Sequence, residues 1–285
     1  MFVIAGVTGH VGGIVARDLL AQGKKVKVIV RDAQKATAWS SKGAEVAIGS
    51  LEDGAFLTSA LRGAAGFFTL LPPHFAATDF YGWQRSTAMT IASAVKASGV
   101  PHVVLLSSVG ADLDAGNGPI KGLFHFENAL RATGTTLTAI RAGYFQENVA
   151  TAIEVARTAG IYANFSPSAD YPMPMLATRD IGALAAASLL AKPPKNEVID
   201  LHGPAYSIRQ VAEKLGAALG KKLQIVDIAP PAHVETLTKA GLPQQLAEAY
   251  AEMYAGFASG KIQPRGDRLV QGSTTIDEVI TSLVS

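Results

Sequence analysis

The chain has 285 residues, 48% of them hydrophobic, and a formal net charge of +2. It is long enough for a large core in one domain with an attached lobe. With no cysteine, disulfides, thiolate catalysis and cysteine-ligated metals are excluded. The near-neutral charge, without basic runs interleaved with aromatics, gives nucleic acid binding little support. The histidines stand apart at 10, 74, 102, 125, 202 and 233, without the spacing of a zinc pair. There is no basic leader, and the longest apolar stretch, Ile181 to Ala191, is too short to span a bilayer. A cytoplasmic protein without a membrane partner is expected.

An apolar strand over Phe2–Ala5 runs into Gly6-x-x-Gly9-x-x-Gly12, and a helical pattern follows over residues 11–22 through Val11, Ile14, Val15, Leu19 and Leu20. Gly23 closes that helix, and Val26–Val30 reads as a second strand. Strand, glycine loop, helix and strand fit within one βαβ unit. In a dinucleotide-binding turn the first glycine permits the turn, the second lets backbone approach a pyrophosphate, and the third lets helix pack on strand. Thr8, His10 and Val11 lie in the loop, where backbone N–H groups and the Thr8 hydroxyl can meet phosphate oxygens. NAD-preferring sites place a carboxylate at the end of the second strand; this chain has Arg31, with Lys35 one turn on. A guanidinium matches a 2′-phosphate in a bidentate fork, so NADP(H) is the expected cofactor. Asp32 is adjacent, and a merely solvated loop is the alternative.

Further strands are expected at Glu45–Ile48, Gly66–Leu71, Val103–Ser107 and Leu137–Arg141, alternating with helices at 33–41, 54–62, 80–98 and 122–133. This predicts an α/β fold of Rossmann type, a doubly wound parallel sheet with helices on both faces. Ligands of such sheets sit beyond the carboxyl ends of the strands. That singles out Ser50 and Leu51, the segment Leu70–Phe75 with Leu71 and Pro72 as a cofactor wall, Ser107 to Ala111 including Ser108, and Ala142 to Asn148. Within the last, Gly143, Tyr144 and Phe145 are candidates for nicotinamide or substrate contact, with core filling as the alternative for the two rings. Glu147 and Asn148 are read as bonding the backbone of their own turn.

The alternation loosens after residue 150. A loop is expected from Tyr162 to Leu176, a helix opening at Ala177-Thr-Arg179-Asp180, a strand at Glu197–Leu201, a helix from the Ser207 cap to Leu219, and a strand at Lys221–Ile228. The last fifty residues read as mostly helical, with Tyr250, Met253, Tyr254 and Phe257 as a core stripe. The expected division is 1–150 as an NADP(H)-binding domain and 151–285 as a smaller, mostly helical substrate lobe partly interwoven with the sheet.

The glycine loop, Val30-Arg31-Asp32, Ser107-Ser108-Val-Gly-Ala111, Arg141-Ala-Gly143-Tyr-Phe145-Gln-Glu-Asn148 and Thr178-Arg179-Asp180-Ile181 together resemble the NmrA-like, atypical branch of the short-chain dehydrogenase/reductases. The likeness runs in order from residue 1 to about 220 and implies a fold and cofactor class, with NADPH-dependent quinone reductases as the nearest functional relatives. Relatives often carry an aspartate near the adenine where this chain has Ser50-Leu51. Typical members use a tyrosine with a lysine four residues on and a serine about thirteen upstream. Counting from Ser108 gives Lys121 and His125 at the tyrosine and lysine positions, and none of the seven tyrosines has a lysine four residues later. The usual proton relay for alcohols and ketones is absent. A quinone takes hydride readily and needs mainly orientation in a water-poor pocket. Lys121, matching a catalytic lysine of some relatives, is the first choice for a general acid, and His125 the second. Lys121 also counts among the cofactor candidates. Two functions follow: an NADPH-dependent reductase of a quinone or similarly electrophilic, apolar or aromatic small molecule, or a non-catalytic NADP(H) sensor that switches a protein partner. A specialised biosynthetic isomerase or reductase using Lys121 is a third reading. A homodimer stays open.

Overall fold

The computed structural model describes residues 1–74, 77–191 and 193–285. In the first half the elements are β1 (Phe2–Ile4), α1 (His10–Ala21), β2 (Val26–Val30), α2 (Ala33–Ser40), β3 (Glu45–Ile48), α3 (Gly54–Leu61), β4 (Gly66–Leu70), α4 (Phe80–Ser98), β5 (His102–Ser108), α5 (Lys121–Arg131), β6 (Thr136–Ala142) and β7 (Tyr144–Phe145). The second half adds α6 (Ile153–Ala159), β8 (Ile161–Asn164), β9 (Met173–Leu176), α7 (Thr178–Ala191), β10 (Glu197–His202), β11 (Ala205–Tyr206), α8 (Ile208–Leu219), β12 (Gln224–Asp227), α9 (His233–Lys239), α10 (Gln244–Ala258), β13 (Arg268–Gln271) and α11 (Ile276–Val284).

Among the described residues, eight parallel strands form the main sheet in the order β13-β10-β6-β5-β4-β1-β2-β3. Its central strands are apolar runs because both faces are covered. On one face α1, α2 and α7 bury a cluster around Ile4, Val15, Leu19, Phe68 and Leu189; on the other, α3, α4 and α5 bury Phe67, Leu57, Ile91, Leu105 and Phe126. The doubly wound expectation thus matches the architecture. Asp32, Asp53 and Asp79 start α2, α3 and α4 by accepting hydrogen bonds from Gln34, Phe56 and Gly82 N–H, and Ser207 with Gln210 forms the expected cap of α8.

The strand order reverses at β1, with β2 and β3 to one side and β4 and β5 to the other. That switch point is where an open α/β sheet has a crevice beyond its strand ends. Two strands of the main sheet, β10 and β13, come from the second half of the chain.

Three expectations are corrected. The span Tyr162–Leu176 is not all loop: it holds most of β8, which pairs with β12, and β9, which joins β7 and β11 in a small sheet. The strand expected over 221–228 shortens to β12. The edge strand β13 escaped notice because Arg268-Leu-Val-Gln271 is polar at both ends and mostly exposed.

One buried ion cluster ties β5, β6 and α5 together. The fully buried Glu127 carboxylate accepts hydrogen bonds from Ser107 Oγ at 2.6 Å, Arg141 Nε at 2.9 Å and Arg141 Nη2 at 2.8 Å. Arg131, one turn along α5, adds a bond to Glu127 at 2.8 Å. Burial disfavours the charge on Arg141, but the bonds to Glu127 and the fields of Glu127, Asp112 and Asp200 outweigh it and hold its pKa above the ordinary value. Breaking such a pair strands a charge in the interior. Arg141→Met is expected to lower stability by about 3–5 kcal/mol in urea unfolding. Adding Glu127→Leu to that variant should recover much of the loss, which a double-mutant cycle reads directly.

Candidate active site

At the end of β1 the chain turns through Gly6, whose φ of +67° lies in the left-handed region that glycine tolerates. The Gly9 N–H bonds the Gly6 carbonyl at 3.0 Å, and α1 starts at His10 without a side-chain cap and without an acid in its first turn. Thr8, Gly9 and His10 are exposed, whereas the Val11 side chain is in the core, so only the backbone of Val11 is available to a ligand. Gly12 brings helix and strand together: a Cβ there would fall 2.5 Å from the Ala5 oxygen and 2.6 Å from the Gly6 carbonyl. The result is a side-chain-free helix N-terminus facing the switch point, the geometry that receives phosphate. A dinucleotide pyrophosphate fits this cradle.

Arg31 and Lys35 are both exposed beyond β2. The adjacent acid, Asp32, points one carboxylate oxygen at Gln34 N–H, 2.8 Å away, as the cap of α2. Its negative charge therefore compensates the start of a helix, and Arg31 keeps an exposed guanidinium at the strand end. Half-buried Ser50 and Leu51 follow β3, and the Ser50 hydroxyl accepts a bond from Glu52 N–H. Leu71 and Pro72 follow β4 and are half-buried, and Leu71 packs against the core cluster under α3 and α4. Phe75, the last residue of the expected post-β4 segment, lies outside the described residues.

The ends of β5 and β6 depart from expectation at Ser107. That residue is 3% exposed and its hydroxyl donates to Glu127, so it serves the ion cluster rather than an open cleft. Ser108 is half-buried and its hydroxyl donates to the Val109 carbonyl. Gly143 N–H donates to the Leu201 carbonyl at 3.3 Å, which locks β6 to β10 where both strands end. Tyr144 is exposed at 37% of its surface, and Phe145 is half-buried against the core under α1 and α7. Glu147 does not bond its own turn: its carboxylate accepts from Thr178 N–H at 2.9 Å and from Thr178 Oγ1, anchoring the start of α7. Asn148 bonds the Tyr144 hydroxyl.

Lys121 opens α5 at the same end of the sheet. Gln84 of α4 is buried and donates to the Pro119 carbonyl at 3.0 Å, while Gly122 packs so closely that a Cβ would lie 2.5 Å from the Gln84 amide carbon. This seats the first turn of α5 against α4. The Lys121 Nζ lies 5.8 Å from the ring centre of Tyr81. A tyrosine thus meets this lysine across two helices, a pairing without a linear spacing to reveal it. Burial, then Glu252 and Glu248, raise the pKa of Tyr81. Its chemistry is therefore opposite in sign to that of a tyrosine activated as a base. His125, one turn beyond Lys121, has its pKa lowered by burial and by the charges of Arg85 and Lys121, against an opposing effect of Asp114. It is neutral at neutral pH, and its buried Nε2 has no hydrogen-bond partner among the described residues.

Across the cleft from the sheet stands an aromatic wall that the sequence reading assigned to the core. Tyr254 stacks on Phe165 at 5.3 Å and 24°, His233 meets both edge-on, and Tyr250 lies 6.3 Å from Tyr254. Of the expected stripe on α10, only Met253 packs into an apolar cluster, with Val109, Ala111, Ile120 and Ile262, while Phe257 is exposed. Helical spacing told which residues share a face but not what that face meets. Among the described residues there is no cluster of metal-binding side chains, and none of the helices is long and apolar enough to cross a membrane.

Known proteins share this arrangement over nearly the whole chain. An NAD(P)H azoreductase of Xenophilus azovorans is 28% identical over 256 residues, 90% of this chain and 86% of that protein. Quinone oxidoreductase 2 of Escherichia coli (strain K12) is 26% identical over 263 residues, 91% and 89% of the two chains. The crystal structure of a Citrobacter sp. triphenylmethane reductase complexed with NADP(H) superposes with a TM-score of 0.82 at 20% identity, over 99% of this chain and 100% of the other. The profile of the NmrA-like family matches residues 1–283, and the chain belongs to that family.

Proposed function

We propose that the protein is an NADPH-dependent reductase that transfers hydride to a quinone or a similarly electrophilic, apolar or aromatic small molecule. The observation that carries this reading is the uncapped, side-chain-free N-terminus of α1 at the switch point, on the same end of the sheet as Lys121 and the aromatic wall. Relatives named as an NAD(P)H azoreductase and a quinone oxidoreductase support it. In this reading the N–H groups of residues 10–12 hold the pyrophosphate, Arg31 and Lys35 hold the 2′-phosphate, and Leu71, Pro72 and Gly143 wall the cleft. Bound NADPH supplies two electrons as hydride. In the overall conversion a quinone, NADPH and one proton become hydroquinone and NADP⁺.

The protein residues then have two tasks. The wall of Phe165, Tyr250 and Tyr254 holds a planar acceptor and excludes water. Lys121, seated by Gln84, gives a proton to the reduced oxygen as charge develops there. Neutral His125 is a poor proton donor beside it, and Tyr81, its pKa raised, keeps its proton and offers the lysine a ring face. The reading includes a cytoplasmic location and needs no macromolecular partner.

Purified protein mixed with NADPH and a panel of quinones and azo dyes should oxidise the cofactor with at least one acceptor, followed at its absorbance band. Tight NADPH binding without oxidation by any acceptor overturns the reductase reading and leaves the sensor. Arg31→Asp should weaken NADPH binding by about 1–3 kcal/mol, the scale of a charge-assisted phosphate contact, with little effect on NADH in the same titration. Lys121→Met should lower kcat about 10²-fold, the lower end of acid catalysis, with the dissociation constant for NADPH unchanged. Full turnover in that variant would take the proton from water instead.

A further inference from the structure

The aromatic wall has a chemical character beyond its apolar surface. Tyr144 follows β6, Tyr162 lies on β8, and Tyr250 and Tyr254 lie on α10, with Phe165 and His233 filling between them. The hydroxyls of Tyr162, Tyr250 and Tyr254 make no hydrogen bond among the described residues, yet none is sealed from solvent. Tyr162 is only 7% exposed, so its ring is core while its hydroxyl reaches open space. By contrast, the Tyr206 hydroxyl is used within the fold, accepting from Ile276 N–H at 3.2 Å. An unpaired hydroxyl in a poorly hydrated place costs about 1–3 kcal/mol, and a packed core does not collect several of them. His233 is held by its Nε2 contact with the Ile228 carbonyl at 2.9 Å and adds no free polar group on that nitrogen.

We propose that the hydroxyls of Tyr144, Tyr162, Tyr250 and Tyr254 form an acceptor subsite that grips a planar aromatic substrate by a hydrogen-bond-accepting oxygen, such as a quinone carbonyl. This rests on the reductase reading and names the substrate class within it. Burial raises the pKa of all four groups, and Tyr144 adds to the rise at Tyr162 and Tyr254. Each therefore keeps its proton and donates. Phe165 and Tyr254, already stacked, present ring faces to the substrate plane, while the hydroxyls select for oxygen at its edge. An oxygen-free ring of the same size gains the stacking and loses the donors.

The test titrates 1,4-naphthoquinone, and naphthalene as the oxygen-free ring, into protein loaded with NADP⁺, so that no turnover occurs. Tyr144→Phe and Tyr254→Phe should each weaken naphthoquinone binding about two- to tenfold and leave naphthalene unchanged. NADP⁺ affinity and thermal midpoint in the same variants report an intact fold. The subsite is overturned if the unsubstituted protein does not bind naphthoquinone, if the variants bind it as tightly as the parent, or if both ligands weaken equally. Steady-state assays separate the two ideas. Naphthoquinone binding that responds to the substitutions, without any NADPH oxidation, sinks the reductase reading alone. Turnover with the parent's KM in both variants sinks the subsite alone.

Discussion

At Gly12 the backbones of α1 and β1 come so close that one methyl group would not fit between them, and the site depends on that approach. A Cβ at this position would overlap the Ala5 oxygen at 2.5 Å, an overpacking that costs about 1–3 kcal/mol before any ligand is considered. Because the helix is drawn in, its first N–H groups point into the crevice where the strand order reverses. Because Gly9 rather than a Ser or Asp precedes it, no side chain satisfies those groups. Three other helices in this half, α2, α3 and α4, begin with a capping aspartate. The exception at α1 is where an anion is to be held.

A second constraint works on the opposite face of the sheet. Glu127 has no exposed surface and is held by Ser107, Arg141 and Arg131, so α5 has one register against β5 and β6. Lys121 lies at the start of that helix, and Gln84 fixes the same turn from α4. The lysine is therefore presented from a rigid base, with little conformational entropy left to lose when a substrate arrives. The ion cluster thus has a positioning role as well as a structural one. Its energetic return lies in a fixed geometry more than in net stability.

Much of the first half was legible because its strands are short apolar runs buried on both faces and its helices carry aspartate caps at 32, 53 and 79. Those signals are local, and β1 to β6 and α1 to α5 fall within a residue or two of where the pattern puts them. Features formed by distant partners were not legible. Strand β8 is stabilised by β12, some sixty residues away, and β13 by β10. Ser107 lies at a strand end, as a cofactor contact would, yet it turns toward a carboxylate that only the packing of α5 supplies. Tyr250 and Tyr254 share a helical face, and that periodicity is the same for a core as for a pocket. The Tyr81–Lys121 contact joins residues forty positions apart and replaces a sequence-local pair that the count from Ser108 correctly found missing.

Strands β10 and β13 complete the main sheet from the second half of the chain, with β10 seated on β6 and β13 on β10. On a ribosome this has a kinetic meaning. The nucleotide half emerges with the outer edge of β6 unpaired, an open row of backbone donors and acceptors, and it stays so until residues 197–202 have left the exit tunnel. The last strand docks only after residue 271, close to the end of synthesis. During that interval the exposed edge is the segment most able to pair with another chain, and a truncated product would keep it permanently.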